Sequence, residues 1–255
     1  MLAKERQKKI EHLLSENGAV LVSELTSRFG VSIETVRRDL LCMEAEEKLV
    51  RVHGGAVIKG DMTPPRSFAE RHRTMGAEKE AIAAEAIKFI EEGDVIGIDE
   101  GSTAIAFANA VKARFSHLTV ITHSLYVFEA LCDRAGFEVI LLGGKYLAEA
   151  RTLVGDITVQ NLRSLHLNKA FIFPSALSLD FGISSHSEEL IAVARAMIGA
   201  ADHVFVLADS SKLEKKALYK FSDMSDAFTY VTDSGLSQEL YKLYLENGKN
   251  IKIGE

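Results

Sequence analysis

The sequence predicts an α/β protein in two parts, a small winged helix-turn-helix domain and a larger α/β domain with a mostly parallel sheet. Two observations support this division. Residues 1–59 contain short amphipathic helices, a glycine turn and a hairpin signal, whereas helical and apolar strand-like segments alternate throughout 77–255. Such alternation is typical of parallel strands covered by helices on both faces. Residues 60–76, which lose this periodicity and contain two of the three prolines, are predicted to be a linker with a short helix near 68–71.

The composition is that of an ordinary globular protein, with 47% hydrophobic and 26% charged residues in a chain of 255, enough for two domains. No apolar run approaches the roughly 20 residues that cross a bilayer, and the charged N-terminus is unlike a signal peptide, so we expect a cytoplasmic protein without a membrane partner. The two cysteines, at positions 42 and 132, lie far apart in sequence and are expected to be reduced.

The formal net charge of −6 disfavours DNA binding until it is divided by region. Residues 1–60 contain ten Lys and Arg against nine Asp and Glu, so this part carries +1 and the remainder carries −7. A nearly neutral domain gains modest affinity from phosphate contacts. Two copies on repeated half-sites would compensate, so we expect a homo-oligomer.

The first 30 residues predict two helices and a short strand. Residues 3–17 have the apolar spacing of a helix, and 19–21 suit a short strand that adds to a hairpin. A second amphipathic helix follows at 23–29, and Gly30 supplies the tight turn that a helix-turn-helix needs.

The next helix begins after Ser32, which is a favourable N-cap residue. Its inward positions, at helical spacing, are Ile33, Val36, Leu40 and Met43. Its outward positions include Thr35, Arg37 and Arg38. Strand-like residues at 49–53 and 56–58 then flank a Gly54–Gly55 pair suited to the positive φ values of a hairpin, which predicts a wing.

This arrangement predicts a DNA-binding surface, because the second helix of such a unit enters the major groove with its N-terminal turns at the base edges. Thr35 suits a thymine methyl or a phosphate, and Arg37 and Arg38 suit a guanine edge or the backbone. Which arginine contacts bases stays open, and an isolated Arg-Arg pair could equally be a solvated helix face. The predicted DNA-binding set is Ser32, Glu34, Thr35, Arg37, Arg38, Arg51, His53 and Gly54.

The C-terminal part alternates in a regular order. Predicted helices cover 78–90, 103–114, 125–134, 154–165, 188–201 and 237–246. Predicted strands cover 95–99, 118–122, 137–142, 169–173, 203–208 and 227–232, with a last strand near Ile251.

Ligands of open α/β sheets lie beyond the carboxyl ends of the strands. The first strand ends in the segment 99–103, where Gly101 allows a close turn and Ser102 and Thr103 offer hydroxyls at a helix N-terminus. That geometry suits a phosphate, although such a segment is also simply a well-capped turn. Polar residues end three further strands, and Lys145 and Lys212 among them could add positive charge for an anion.

Two signatures of the N-terminal part, Thr35–Leu40 (TVRRDL) and Arg51–Ala56 (RVHGGA), resemble those of the DeoR family of bacterial transcriptional regulators. The stretches 98–103, 120–124, 153–155, 169–172 and 208–212 are similar to its C-terminal domain, which has a ribose-5-phosphate isomerase-like fold. The resemblance implies a repressor of a carbohydrate-metabolism operon, with operator DNA as partner and a phosphorylated sugar or related metabolite as effector. The effector-binding set that follows is Asp99, Glu100, Gly101, Ser102, Thr103, His123, Ser124, Lys145, Asp209 and Lys212.

The sequence departs from the family pattern at four places. Glu47 stands where a glycine usually ends the recognition helix, and His123 where asparagine is usual. A Phe-Pro pair begins the segment 173–178 in place of an Asn-Gly loop, and Ala194 replaces a common lysine. The bulky Phe-Pro pair would narrow the mouth of the expected pocket, which favours a ligand other than the commonest sugar phosphates.

The alternative function is an enzyme, a sugar-phosphate isomerase that carries a DNA-binding domain. Isomerisation needs a carboxylate base beside the sugar carbon, yet the segment 175–178 has none, and Asp180, Glu188 and Glu189 are explained as surface or helix-start charges. The histidines show no metal-ligand spacing. We therefore expect no catalytic residues, no metal and no cofactor.

Overall fold

The computed structural model describes residues 2–17, 19–46, 48–52, 54–58 and 67–255. The predictions for Glu47, for His53 and for residues 60–66 of the linker lie outside the described residues. The boundaries at 59/60 and 76/77 stay predictions.

The N-terminal part forms the expected helix-turn-helix with a three-stranded antiparallel sheet. In chain order its elements are α1 (Ala3–Asn17), β1 (Ala19–Leu21), α2 (Val22–Phe29), α3 (Ile33–Ala45), β2 (Leu49–Val52) and β3 (Gly55–Ile58). The strand order is β1-β3-β2, so β1 completes the wing sheet as predicted. Its core contains Ile10, Leu13, Leu14, Val20, Leu25, Val36, Leu40, Met43, Leu49 and Ala56.

One predicted core residue of α3 is wrong. Ile33 is 52% exposed, because it stands in the first turn of the helix, beyond the end of the core that buries Val36 and Leu40. The N-cap prediction is confirmed, since the Ser32 side chain accepts a hydrogen bond from the backbone N–H of Thr35 at 3.2 Å.

The two wing glycines have different roles. Gly54 has φ +84°, the conformation the hairpin turn requires. Gly55 is needed for space instead, because a Cβ there would lie 2.1 Å from the carbonyl oxygen of Val20 on β1. The predicted positive φ therefore holds for one glycine, and close strand approach explains the other.

The C-terminal part has its elements nearly where periodicity places them. Its helices are α4 (Phe68–Arg73), α5 (Gly76–Ala86), α6 (Ser102–Arg114), α7 (Leu125–Leu131), α8 (Asp156–Arg163), α9 (Glu188–Gly199) and α10 (Gln238–Glu246). Its strands are β4 (Val95–Ile98), β5 (Leu118–Thr122), β6 (Phe137–Leu141), β7 (Lys145–Leu147), β8 (Thr152–Val154), β9 (Leu167–Ile172), β10 (Ala176–Ser178), β11 (Gly182–Ser185), β12 (Ala201–Leu207), β13 (Tyr219–Ser222), β14 (Thr229–Asp233) and β15 (Asn250–Gly254).

The main sheet has seven parallel strands in the order β15-β14-β12-β9-β4-β5-β6. Separate apolar clusters cover its two faces, one containing Phe107 on α6 and the other Met197 on α9. The predicted class, α/β with a mostly parallel sheet, is confirmed. In this sheet β5 and β6 lie on one side of β4, and β9, β12, β14 and β15 lie on the other. Where the strand order reverses in this way, a crevice opens beyond the carboxyl ends of the strands.

Several short antiparallel strands were not predicted. They form the hairpin β7–β8 and the small sheet β10-β11-β13. Each has three or four residues and several are rich in serine or glycine, so neither length nor β-propensity distinguishes them from loops. The prediction that a helix begins at Val154 is consequently wrong, because Val154 ends β8 and α8 starts after Gly155.

The second half of the predicted linker is ordered on the C-terminal part. Ser67 and Glu70 form a capping box that starts α4, and α4 packs against α6. The Phe68 ring stacks on Tyr126 with 4.4 Å between ring centroids. The expected short helix is thus present, and it extends two residues beyond Arg71.

Candidate functional site

The outward face of α3 is the first candidate site. Arg37 and Arg38 are exposed on it, one turn after the N-cap. Thr35 is half-buried, and its hydroxyl lies 2.9 Å from that of Ser32, so both hydroxyls stand together at the helix N-terminus. This arrangement places two cations and two hydroxyls where a major-groove helix would meet DNA.

A buried ion pair holds α3 from beneath. Asp39 accepts two hydrogen bonds from the guanidinium of Arg6 on α1, one at 3.0 Å from Nη2 and a shorter one from Nε. Both side chains are almost fully buried. The pair therefore fixes how far α3 can turn or slide on α1, which sets where Arg37 and Arg38 point.

Arg51 on the wing has a protein partner. Its Nε lies 2.7 Å from Glu44 Oε2 on α3, and its backbone N–H donates to Glu44 Oε1 at 2.9 Å. These hydrogen bonds hold the pKa of Glu44 below its usual value. Arg51 thus joins the wing to α3, and a DNA phosphate would compete with Glu44 for it.

Ile33 is a surface residue that sequence reasoning assigned to the core. Its exposed side chain adjoins Ser32 and Glu34 in the first turn of α3, where apolar contact with a thymine methyl is possible. Its position directly after the N-cap could have indicated that it is exposed, because the first turn of this helix lies beyond the end of the hydrophobic core.

The second candidate site is a cavity of about 1130 Å³ beyond the carboxyl ends of the main sheet. Four predicted effector residues line it, namely Glu100, Ser102, Asp209 and Lys212. Its other walls come from α4, from α5, from the β7–β8 loop and from the segment that leads into α9. Gly54 of the wing, predicted to bind DNA, also lines this cavity. Ser102 starts α6, whose N-cap Gly101 provides no side-chain cap, so amide groups of the first turn are available to an anion.

The other predicted effector residues do not line this cavity. Asp99, Thr103, His123 and Ser124 are buried beside it, and Lys145 is exposed on β7. Gly101 has φ +149°, and a Cβ there would lie 3.2 Å from that of Phe173, so Gly101 allows the strand-to-helix turn to pass beneath the cavity. A role for these residues in binding stays a prediction.

His123 belongs to a buried network beneath the cavity. Its Nε2 lies 2.8 Å from Asp99 Oδ1 and its Nδ1 lies 2.9 Å from the carbonyl oxygen of Leu153. Burial lowers the pKa of His123, but the hydrogen bond and charge of Asp99 outweigh burial, and the net pKa is raised. Two acceptors facing the two ring nitrogens favour the imidazolium form, which links β5 to the end of β4.

The lysines Lys212 and Lys79 also line the cavity. Lys212 lies 3.6 Å from Asp209 and donates to the carbonyl oxygen of Pro174 at 3.2 Å. Burial lowers the pKa of Lys212, and burial followed by the charge of Lys212 lowers the pKa of Lys79 on α5. Lys79, like Arg71 on α4, lines the cavity although the sequence analysis did not identify it.

Glu100, the second residue after β4, contributes a buried carboxylate to the cavity, as does Asp209. Burial raises the pKa of Glu100, more than the nearby Arg71 lowers it. An acid in this position can accept a hydrogen bond from a ligand hydroxyl, and its charge opposes an anion placed directly against it.

None of the helices within the described residues is long and apolar enough to cross a membrane.

Comparisons with known proteins agree with the two-part architecture. Residues 6–60 match the family model of the DeoR-like helix-turn-helix domain, and residues 74–234 match that of the DeoR C-terminal sensor domain. The uncharacterised HTH-type transcriptional regulator YulB of Bacillus subtilis (strain 168) is 35% identical over 99% of this chain and 96% of its own. The HTH-type transcriptional repressor GlcR of the same organism is 32% identical over 100% of this chain and 98% of its own. Ribose 5-phosphate isomerase A from Methanocaldococcus jannaschii is similar over 53% of each chain, with 18% identity and a TM-score of 0.39.

Proposed function

From the premise that this chain belongs to the DeoR family of transcriptional regulators, we propose that it represses a carbohydrate-metabolism operon and that a phosphorylated sugar controls it. The cavity carries this proposal. It combines the amide groups and hydroxyl at the start of α6 with the half-buried cation Lys212, and that combination suits a phosphate. Two relatives support this role: GlcR is named as a transcriptional repressor, and the lactose phosphotransferase system repressor of Lactococcus lactis is named for a sugar.

The exposed face of α3 binds operator DNA. Arg37, Arg38 and Thr35 supply the contacts to base edges and phosphates, and the Arg6–Asp39 pair beneath them fixes their direction. Two or more copies on repeated half-sites raise the affinity of a domain whose own charge is nearly neutral. The protein acts in the cytoplasm, where its operator is.

Control follows from linkage. A sugar phosphate that binds better to the arrangement that cannot bind DNA weakens operator binding. Operator DNA weakens sugar-phosphate binding by the same coupling free energy. Coupling free energies of this kind are about 1–3 kcal/mol, which corresponds to about 5–150-fold in affinity. The measured sign distinguishes an inducer from a co-repressor.

The test begins with selection of bound duplexes from a random pool by the full-length protein. Affinity for the selected duplex is then measured by fluorescence anisotropy, with and without each member of a panel that contains glucose 6-phosphate, fructose 6-phosphate, less common sugar phosphates and the corresponding unphosphorylated sugars. We expect at least one sugar phosphate, and none of the parent sugars, to change the affinity by about fivefold or more. A thermal-shift screen with a wider panel identifies further ligands, because a ligand of the folded state raises the melting temperature.

Variants locate the response. Ser102→Ala and Lys212→Gln should keep operator affinity and lose the sugar-phosphate response, whereas Lys242→Gln, an exposed charge on α10, should keep both. A full response in both cavity variants would place the effector elsewhere. The absence of any duplex preference over random competitor, or rapid turnover of a sugar phosphate, would contradict the proposed function.

A further inference from the structure

The helix α4 brings a positive charge from the linker into the cavity. Arg71 extends from α4 to line the same cavity as Glu100 and Lys212. The guanidinium lies over the Phe68 ring, 5.7 Å from its centroid, and that ring stacks on Tyr126. Arg71 therefore belongs to the segment that connects the two parts of the chain, and it faces the site proposed for the effector.

Arg71 and Glu100 face each other without a close hydrogen bond. Arg71 Nη2 lies 3.9 Å from Glu100 Oε2, which is beyond hydrogen-bond distance. Arg71 Nε and Glu100 Oε2 are both buried and have no hydrogen-bond partner among the described residues. Glu100 itself is only 6% exposed. A donor and an acceptor are thus held apart across one side of the cavity, and both are unused.

The neighbouring lysines, in contrast, each already donate at least one hydrogen bond to the protein. Lys79 donates to the carbonyl oxygen of Thr74 at 2.5 Å and to that of Arg71, so it ties the end of α4 to α5. Lys212 donates to the carbonyl oxygen of Pro174. Arg71 thus adds a positively charged donor to a wall that already contains Lys79 and Lys212. Burial is the main cause that lowers the pKa values of both lysines, and the charge of Arg71 is a smaller one.

We propose that Arg71 binds the effector directly: an anionic oxygen of the ligand accepts from the Arg71 guanidinium, while a neighbouring hydroxyl donates to the Glu100 carboxylate. This inference rests on the proposed function and specifies its ligand as a hydroxylated anion. A bound ligand fills the gap between the linker helix and the turn that follows β4. It therefore fastens α4, the segment that leads from the DNA-binding part, onto the sensor domain.

The direct test measures binding of two probes, inorganic phosphate and glucose 6-phosphate, to the full-length protein by calorimetry. Arg71→Gln, which removes the guanidinium and its charge but keeps a polar side chain, should weaken both by about tenfold or more, because a charge-assisted hydrogen bond is lost. Arg73→Gln is the matched control, since Arg73 lies on the same helix but is exposed and does not line the cavity. It should leave both affinities within about twofold.

A second measurement distinguishes ligand contact from a purely structural role. Amide hydrogen exchange in residues 68–74 should slow on saturation of the wild type with glucose 6-phosphate. In Arg71→Gln, saturated at a higher concentration, exchange should slow around Ser102 but not in 68–74. Arg71→Lys keeps the charge without the guanidinium fork and should weaken binding by less than Arg71→Gln.

The outcomes separate the two proposals. Equal affinities of the wild type and Arg71→Gln, or equal protection of 68–74 in both, would overturn this inference while leaving the proposed function intact. A wild type that binds neither probe and no other sugar phosphate would overturn both.

Discussion

The two candidate sites of this chain are built in opposite ways. The candidate DNA-binding surface is centred on side chains of one continuous helix, with Arg51 on the adjoining wing, so most of its members that are neighbours in sequence are neighbours in space. The cavity is assembled from the linker helix, from strand ends and from a hairpin that are far apart in sequence. A surface of the first kind is determined locally, whereas the second depends on the entire topology of the sheet.

The two sites share one feature, a buried ion pair directly beneath them. Arg6 and Asp39 join α1 to the back of the DNA-facing helix, and His123 and Asp99 join two strand ends under the cavity. A buried pair of this kind is sensitive to the loss of either partner, because the remaining charge is left without compensation. Each pair thus makes the position of a functional residue depend on buried side chains that lie beneath it.

The largest effect is expected at the first pair. Asp39→Ala removes the carboxylate that pairs with the buried guanidinium of Arg6, so the free energy of unfolding of the N-terminal part should fall by about 3–5 kcal/mol. Urea unfolding followed by circular dichroism should show this as an earlier transition. Glu11→Ala is the control, because Glu11 is exposed and pairs with Lys48 at 3.7 Å, and its loss should cost below about 1 kcal/mol. A similarly small loss for Asp39→Ala would mean that the pair does not support the helix.

An intermediate effect is expected on the DNA-facing surface. Arg37→Ala or Arg38→Ala should weaken operator binding by about 1–3 kcal/mol if the residue contacts a base, or lower the salt slope by about one if it holds only a phosphate. Arg51→Ala should reduce operator affinity by less than whichever of Arg37→Ala and Arg38→Ala has the larger effect, because the Arg51 guanidinium already donates a hydrogen bond to Glu44. Salt-dependent anisotropy titrations distinguish these cases. Unchanged affinity and slope in a variant would remove that arginine from the interface.

The smallest effect concerns the pair under the cavity and depends on pH. The pKa of His123 in the folded protein lies above its unfolded value of about 6.5. The ion pair with Asp99 therefore stabilises the fold fully below about pH 6.5, and this stabilisation is lost as the pH rises through the folded pKa. The slope is at most about 1.4 kcal/mol per pH unit, the value for one proton. Melting temperatures of the sensor domain should therefore fall with rising pH in the wild type and fall less in His123→Gln. An equal slope in both would assign the dependence to another group.

The difference between the sites also explains what the sequence could predict. The N-cap Ser32, the exposed Arg37 and Arg38 and the short strand at 19–21 depend on spacing within a few residues, and the structure has each of them as predicted. Ile33 was misplaced because periodicity identifies a face but not where along a helix the core ends.

The cavity was predictable only in part. Strand-end reasoning found Ser102 and Lys212, because every strand of a parallel sheet brings its carboxyl end to the same edge. It also favoured Lys145, which the structure places on an exposed hairpin strand outside the cavity. Arg71 and Lys79 were missed because they precede the first strand of the sheet, and nothing local shows that the linker folds back over it.

The stack of Phe68 on Tyr126 has a practical consequence. The chain contains no tryptophan, so its emission is limited to tyrosine and phenylalanine. An indole introduced at position 126 would be the sole fluorophore of its kind and would sit beneath the linker helix. Its spectrum would then report, in real time and without an attached dye, whether that helix is seated or released.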